Sequence, residues 1–229
     1  MKTQTNQTQT NRTHNGTPAK VASILAFTGL ALAGLASGCG HQAPVSAGRE
    51  RHIYVGLDTS GSWRPYLGVS ATLCTRQAML LDPGRDKLTL YRLDSSTREF
   101  SNGPAPESGD RLQRTIVHEV ASVSGSQGTF PARFWTAAAG RAAGDPGSVT
   151  VEIYSDGDND DQTAQSVLAI QAAAQRLAAN PHVTGVWVFG AEPRNWAALR
   201  AEFAPLGDRL HLYSPTEMTG ERAAAAVEE

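Results

Sequence analysis

Three short runs of oxygen-bearing side chains stand out for the chemistry they could share. Asp58-Thr59-Ser60-Gly61-Ser62 follows an apolar stretch at residues 53–57, Gly128-Thr129 precedes Phe130-Pro131, and Asp156-Gly157-Asp158 follows the β-branched stretch 149–155. Alternate residues of extended backbone point the same way, so Asp58, Ser60 and Ser62 can converge on one point. Carboxylate and hydroxyl oxygens are hard donors that suit Mg²⁺, which takes about six of them in a near-octahedral shell and keeps several waters. Of the five groups Asp58, Ser60, Ser62, Thr129 and Asp156, only the two aspartates carry charge. An ion held this way stays electrophilic, and its open position suits a carboxylate supplied from outside. Mn²⁺ and Ca²⁺ are the open alternatives to Mg²⁺.

Each run also has a plainer reading. Asp58 can end a strand, Ser60 and Thr129 can cap the helices that follow them, and Asp156-Gly157 can make a turn. These roles are compatible with metal binding, so convergence of the three loops decides. Trp63 follows Ser62 directly and is predicted as an exposed aromatic at the rim, the candidate partner contact. Asp156, Asp158 and Asp160 alternate as in a calcium loop, yet Asp161 stands where glycine is required and Val167 where glutamate is required. That excludes an EF-hand and leaves Asp158, Asp160 and Asp161 as a weak second cation site.

Such loops must be positioned by the elements that end at them. Short apolar runs predict strands over residues 53–57, 88–93, 149–155, 183–190 and 210–213, with a short edge strand at 98–100 and a loop over 102–109. Helical periods fall over 66–81, 111–121 and 131–143, with Pro131 well placed for a first turn. Val167, Ile170, Ala174 and Leu177 mark the buried stripe of another helix, and Trp196, Leu199 and Phe203 that of a further one. Ser214-Pro215-Thr216-Glu217 forms a capping box. Strands separated by helices imply a doubly wound, mostly parallel α/β sheet flanked by helices, a three-layer sandwich. In such sheets ligands gather outside the carboxyl ends of the strands, where all three runs fall. Cys74, Trp135, Trp187 and Trp196 fit core positions, whereas Glu152 lies mid-strand among apolar neighbours without an evident reason.

The three runs, Asp-x-Ser-x-Ser, Gly-Thr and a strand-terminal Asp-Gly, resemble in order and spacing the metal-ion-dependent adhesion site of von Willebrand factor A domains. The element order matches that family across residues 52–229. The resemblance implies hydroxyls that contact the metal directly, aspartates that often act through water, and a protein partner that presents an acidic residue to the ion. A structural module whose metal only stabilises the fold is the alternative.

Hydrophobic residues make up 40% of the chain and charged residues 18%, enough apolar content for a packed core. The formal net charge of −2 joins unlike parts, because residues 1–38 hold Lys2, Arg12 and Lys20 and no acid. Taking those three from the 20 basic residues leaves 17 against 22 acidic ones, a net of −5 beyond residue 38. A mildly acidic domain without a basic cluster offers nothing to nucleic acid. Residues 21–35 are apolar and end in Ala36-Ser37-Gly38-Cys39, which predicts a lipoprotein-type leader over 1–38. Leu35 stands one place earlier than in the usual lipobox. Cys39 is then the acylated residue, 39–50 a tether and 51–229 the folded domain. The expected place is outside the cell, anchored to a bacterial envelope, with membrane contact through the lipid alone. No Gly-x-Ser-x-Gly elbow, Walker loop or Gly-x-Gly-x-x-Gly turn occurs, and the subtilisin-like look of Val55–Ser60 lacks its serine and histidine partners. An enzyme is not expected.

Overall fold

The computed structural model describes residues 48–122 and 128–218. The predicted leader, Cys39 and most of the tether lie outside them. No helix of the described residues is long and apolar enough to cross a membrane.

Six strands form one sheet in the order β3-β2-β1-β4-β5-β6. They are β1 Arg51–Asp58, β2 Lys87–Leu93, β3 Arg98–Pro104, β4 Ser148–Tyr154, β5 Val183–Phe189 and β6 Leu210–Tyr213. All neighbours are parallel except β2 and β3, which pair antiparallel with a register shift between Leu90 and Tyr91. The chain runs outward from β1 through β2 to β3, then returns to lay β4 on the other side of β1. That reversal opens a crevice at the carboxyl ends of β1 and β4. Asp58 ends β1 and Asp156 lies just past β4, so both carboxylates stand at the crevice.

The edge strand β3 is longer than its expected 98–100 span and takes in Gly103 and Pro104, which had been assigned to a loop. An edge position explains this, because one side of the strand has no ladder to complete and a proline is tolerated there.

Two apolar layers sandwich the sheet. On one face α3 (Pro131–Ala142), α4 (Ala164–Ala179) and α5 (Trp196–Glu202) bury Phe134, Trp135, Ala174, Leu177 and Leu199, with Phe203 just past α5, against Tyr54, Val151 and Val186. On the other face α1 (Leu67–Ala78) and α2 (Gly109–Ala121) bury Ala71, Cys74, Leu112 and Ile116 against Val55, Leu57, Leu90 and Tyr154. A last short helix, α6 Pro215–Met218, starts on the expected box: Ser214 N donates to Glu217 Oε2 at 2.8 Å and Glu217 N to Ser214 Oγ at 3.3 Å.

Glu152 is the exception in this core. Its side chain is fully buried between the sheet and α1, near enough to Cys74 for its charge to act on that thiol. Tyr154 donates to its Oε2 at 3.2 Å, while Oε1 has no partner. Burial pushes its carboxyl up to about 8, so it is protonated at neutral pH.

Candidate metal centre

The three loops meet. Asp58 is completely buried, and its carboxylate gathers donors from all three directions. Ser60 N donates to Oδ1 at 2.7 Å, Thr129 Oγ1 donates at 3.0 Å to both oxygens, and Ser155 Oγ donates to Oδ2 at 2.7 Å. Asp156 accepts from Ser62 Oγ at 2.7 Å. Since the Ser62 proton goes to Asp156, Ser62 receives the Ser60 hydroxyl at 3.1 Å, and the Ser60 amide on Asp58 completes a path between the two carboxylates. Ser62 is exposed, whereas Ser60, Thr129 and Asp156 are buried, so the cluster reaches solvent through Ser62.

The capping alternatives are now decided. The residue preceding α1 is Tyr66 and the one preceding α3 is Phe130, and neither makes a side-chain cap. The Ser60 and Thr129 hydroxyls therefore serve the cluster and not a helix end. Burial pushes the Asp58 carboxyl up to about 6, against the lowering effect of its donors from Ser60 and Ser155, with Asp156 adding a smaller upward push. A dication placed here would act in the opposite direction.

The donor set fits such an ion. Every hydroxyl proton in the cluster is directed to a carboxylate or to another hydroxyl, which leaves the hydroxyl oxygens as electron donors. Among the described residues no group of three or more His, Cys, Asp or Glu side chains is arranged to hold a metal. Ser60, Ser62 and Thr129 backed by Asp58 and Asp156 are thus the oxygen set to consider.

Ser155 escaped the sequence reading, and Asp160 takes a part there that the reading did not give it. Ser155 is buried, donates to Asp58 and accepts from Gly157 N at 3.2 Å. The register carries the reason: Leu57 pairs with Tyr154, which places Asp58 beside Ser155. Asp160 is bonded to the main chain of Thr129, its Oδ2 accepting from Thr129 N at 2.6 Å.

Two expectations need correction. Trp63 is not an exposed rim aromatic; it is 0% exposed and packs in the core beneath α1, tilted against Tyr66. The strand-to-helix turn folds the indole inward over Gly190 instead of toward solvent. Nor do Asp158, Asp160 and Asp161 converge on a second cation. Asp158 is taken by Arg194 and Asn195, both at 2.8 Å, Asp160 by Thr129, and Asp161 by Thr163 N at 3.3 Å.

No family model matches the chain, and no curated protein matches it. Among solved structures, a von Willebrand factor type A protein from Catenulispora acidiphila superposes with a TM-score of 0.57 at 15% identity, over 78% of this chain and 42% of its own. The PilB minor pilin from Streptococcus sanguinis gives 0.57 at 11% identity, over 81% of this chain and 61% of the pilin. Proximal thread matrix protein 1 from the mussel byssus, in a form with a zinc-occupied MIDAS motif, gives 0.53 at 12%, over 79% and 46%. The chain thus spans under two thirds of each of these proteins. At such identities the likeness is one of fold, and the fold of this chain is that of the von Willebrand factor type A domain.

Proposed function

We propose that this domain is a protein-interaction module that binds its partner through a divalent metal, Mg²⁺ in the first instance. The observation that carries the reading is the cluster itself: the Ser62 and Thr129 protons are spent on two carboxylates and the Ser60 proton on Ser62, with the exposed Ser62 at its mouth. Ser60, Ser62 and Thr129 would offer oxygens to the ion, and Asp58 and Asp156 would help hold those hydroxyls in orientation and balance its formal charge. The metal supplies an electrophilic position for an acidic group of the partner. Two carboxylates do not saturate a dication in a site that opens to solvent, which favours an external ligand. The pilin, and a Lactobacillus rhamnosus GG pilus adhesin of TM-score 0.53, support an interaction role by analogy of fold.

Export and lipid anchoring through Cys39 belong to the same reading, on the strength of the leader pattern; labelling with a fatty acid, lost in Cys39→Ser, tests them. No catalytic step is assigned to the site. The deciding experiment is calorimetric titration of Mg²⁺ and Mn²⁺ into the wild type and Asp156→Ala. Binding confined to the wild type supports the metal reading. Equal heats in both proteins would place the ion elsewhere.

A further inference from the structure

We propose that Asp160 is the positioning residue that keeps Thr129 in the metal centre; this rests on the metal reading above and adds a residue to it. Thr129 N donates to Asp160 Oδ2 at 2.6 Å, and Asp160 N donates back to Thr129 O at 3.1 Å. Side chain and main chain of Asp160 thus grip both polar groups of the Thr129 backbone. With the backbone held, the Thr129 hydroxyl reaches both oxygens of Asp58 at 3.0 Å.

The grip is not a helix cap. α3 starts at Pro131 with Phe130 before it, so the Thr129 amide lies outside the helix end and owes it nothing. Gly128 is shaped to the same contact, because a Cβ there would stand 2.9 Å from Asp160 Oδ2 and 3.1 Å from Asp160 Cβ. Asp160 is itself held from behind. Asp158 in its loop binds Arg194 and Asn195, and the Asp156 carbonyl accepts from Glu192 N at 2.9 Å and Asn195 Nδ2 at 3.1 Å. The loop after β5 therefore fixes the loop after β4, and Asp160 passes that order on to Thr129. A hydrogen bond to an ionised acceptor is among the stronger ones, so its removal should matter at the metal.

The test uses the full chain with Asp160→Ala and Asp160→Asn, which retains an acceptor oxygen. Two quantities are read: Mg²⁺ affinity by calorimetry, and hydrogen exchange of the Thr129 amide in EDTA. Asp160→Ala is expected to weaken Mg²⁺ about tenfold or more and to speed Thr129 exchange at least as much, while the circular-dichroism spectrum is kept. Asp160→Asn should recover most of both. Wild-type affinity in Asp160→Ala overturns the proposal, as does unchanged exchange. If the wild type binds neither Mg²⁺ nor Mn²⁺, the metal reading fails by itself, and the exchange arm still decides whether Asp160 holds Thr129.

Discussion

The Trp63 indole occupies the space where a side chain on Gly190 would begin: a Cβ built there would stand 2.0 Å from Trp63 Cη2. Gly190 has φ of +92° and its amide donates to Tyr213 O at 2.7 Å, so the glycine cannot step aside. Trp63 directly follows Ser62, whose hydroxyl donates to Asp156, so a shift of the indole off Gly190 is expected to carry that serine with it. Gly190→Ala should therefore displace the indole, lower stability by about 1–3 kcal/mol through overpacking and backbone strain, and weaken Mg²⁺ binding. Tryptophan emission shifted to the red, with a lower Tm, checks it. Unchanged emission and affinity would show that the seat has no effect on Ser62.

Metal should stabilise the fold. A ligand specific to the native state adds roughly 2.7 kcal/mol at about one hundred times its Kd. For a domain of this size the Tm should rise on the order of 5–10 °C with saturating Mg²⁺. Asp156→Ala should lose the rise and keep the spectrum of the wild type, as should Ser155→Ala in part, since Ser155 only orients Asp58. A rise of equal size in Asp156→Ala would remove that carboxylate from the site.

Glu152 should make the domain lose stability as pH rises. Burial holds its carboxyl at about 8 against an ordinary value of 4.5, so between these values the folded state carries a proton that the unfolded state lacks. Stability then falls with rising pH across that window, by up to about 1.4 kcal/mol per pH unit, and levels off above the folded value. Asp58, raised to about 6, contributes a slope of the same sign but only below that pH, and His52, lowered by burial, one of opposite sign below 6.5. Denaturant titrations in EDTA between pH 6.5 and 8 thus isolate Glu152. Tyr154 and Cys74, the groups beside it, are both raised out of this range. Glu152→Gln should flatten the profile; a slope unchanged by that substitution would assign it to another group.

What was legible in the sequence and what was not follow from the range of each signal. Asp58 and Asp156 close apolar strands, and a strand end marks its own site once the sheet is known to be parallel. Ser60 and Ser62 follow by alternation, and Thr129 by its place before a helix. Ser155 needed the β1–β4 register, which no local pattern carries. Asp160 needed the approach of two loops far apart in sequence, and its charge suggested a cation when its actual partner is a backbone amide. Trp63 was misplaced for a related reason: its polar neighbours hint at the rim, while the hollow that receives it is made by a glycine after β5. The fold needed only periodicity, and β3 was the element where an edge relaxed the usual rules.

Partner binding should run through the metal centre and an acidic group from outside. Ser60→Ala, Ser62→Ala and Thr129→Ala each remove an oxygen of the cluster and no core volume, so each should weaken binding more than it weakens the fold. The substitutions are not equivalent. Thr129→Ala strips a donor from the fully buried Asp58 and Ser62→Ala one from Asp156, but Ser62 is itself exposed, so its loss should weaken the fold less than that of the buried Thr129. Trp63→Ala, by contrast, should lower stability by about 3–5 kcal/mol as a core truncation, and any loss of binding would follow from that. Pull-down from an envelope extract, run with Mg²⁺, with EDTA and with Ser62→Ala, reads the outcome, with melting curves of each protein beside it. A partner recovered only in the first arm, when the Ser62→Ala protein melts as the wild type does, supports adhesion through the metal. The same partner recovered in all three arms would mean that another surface binds it and that an ion in this centre serves the fold alone.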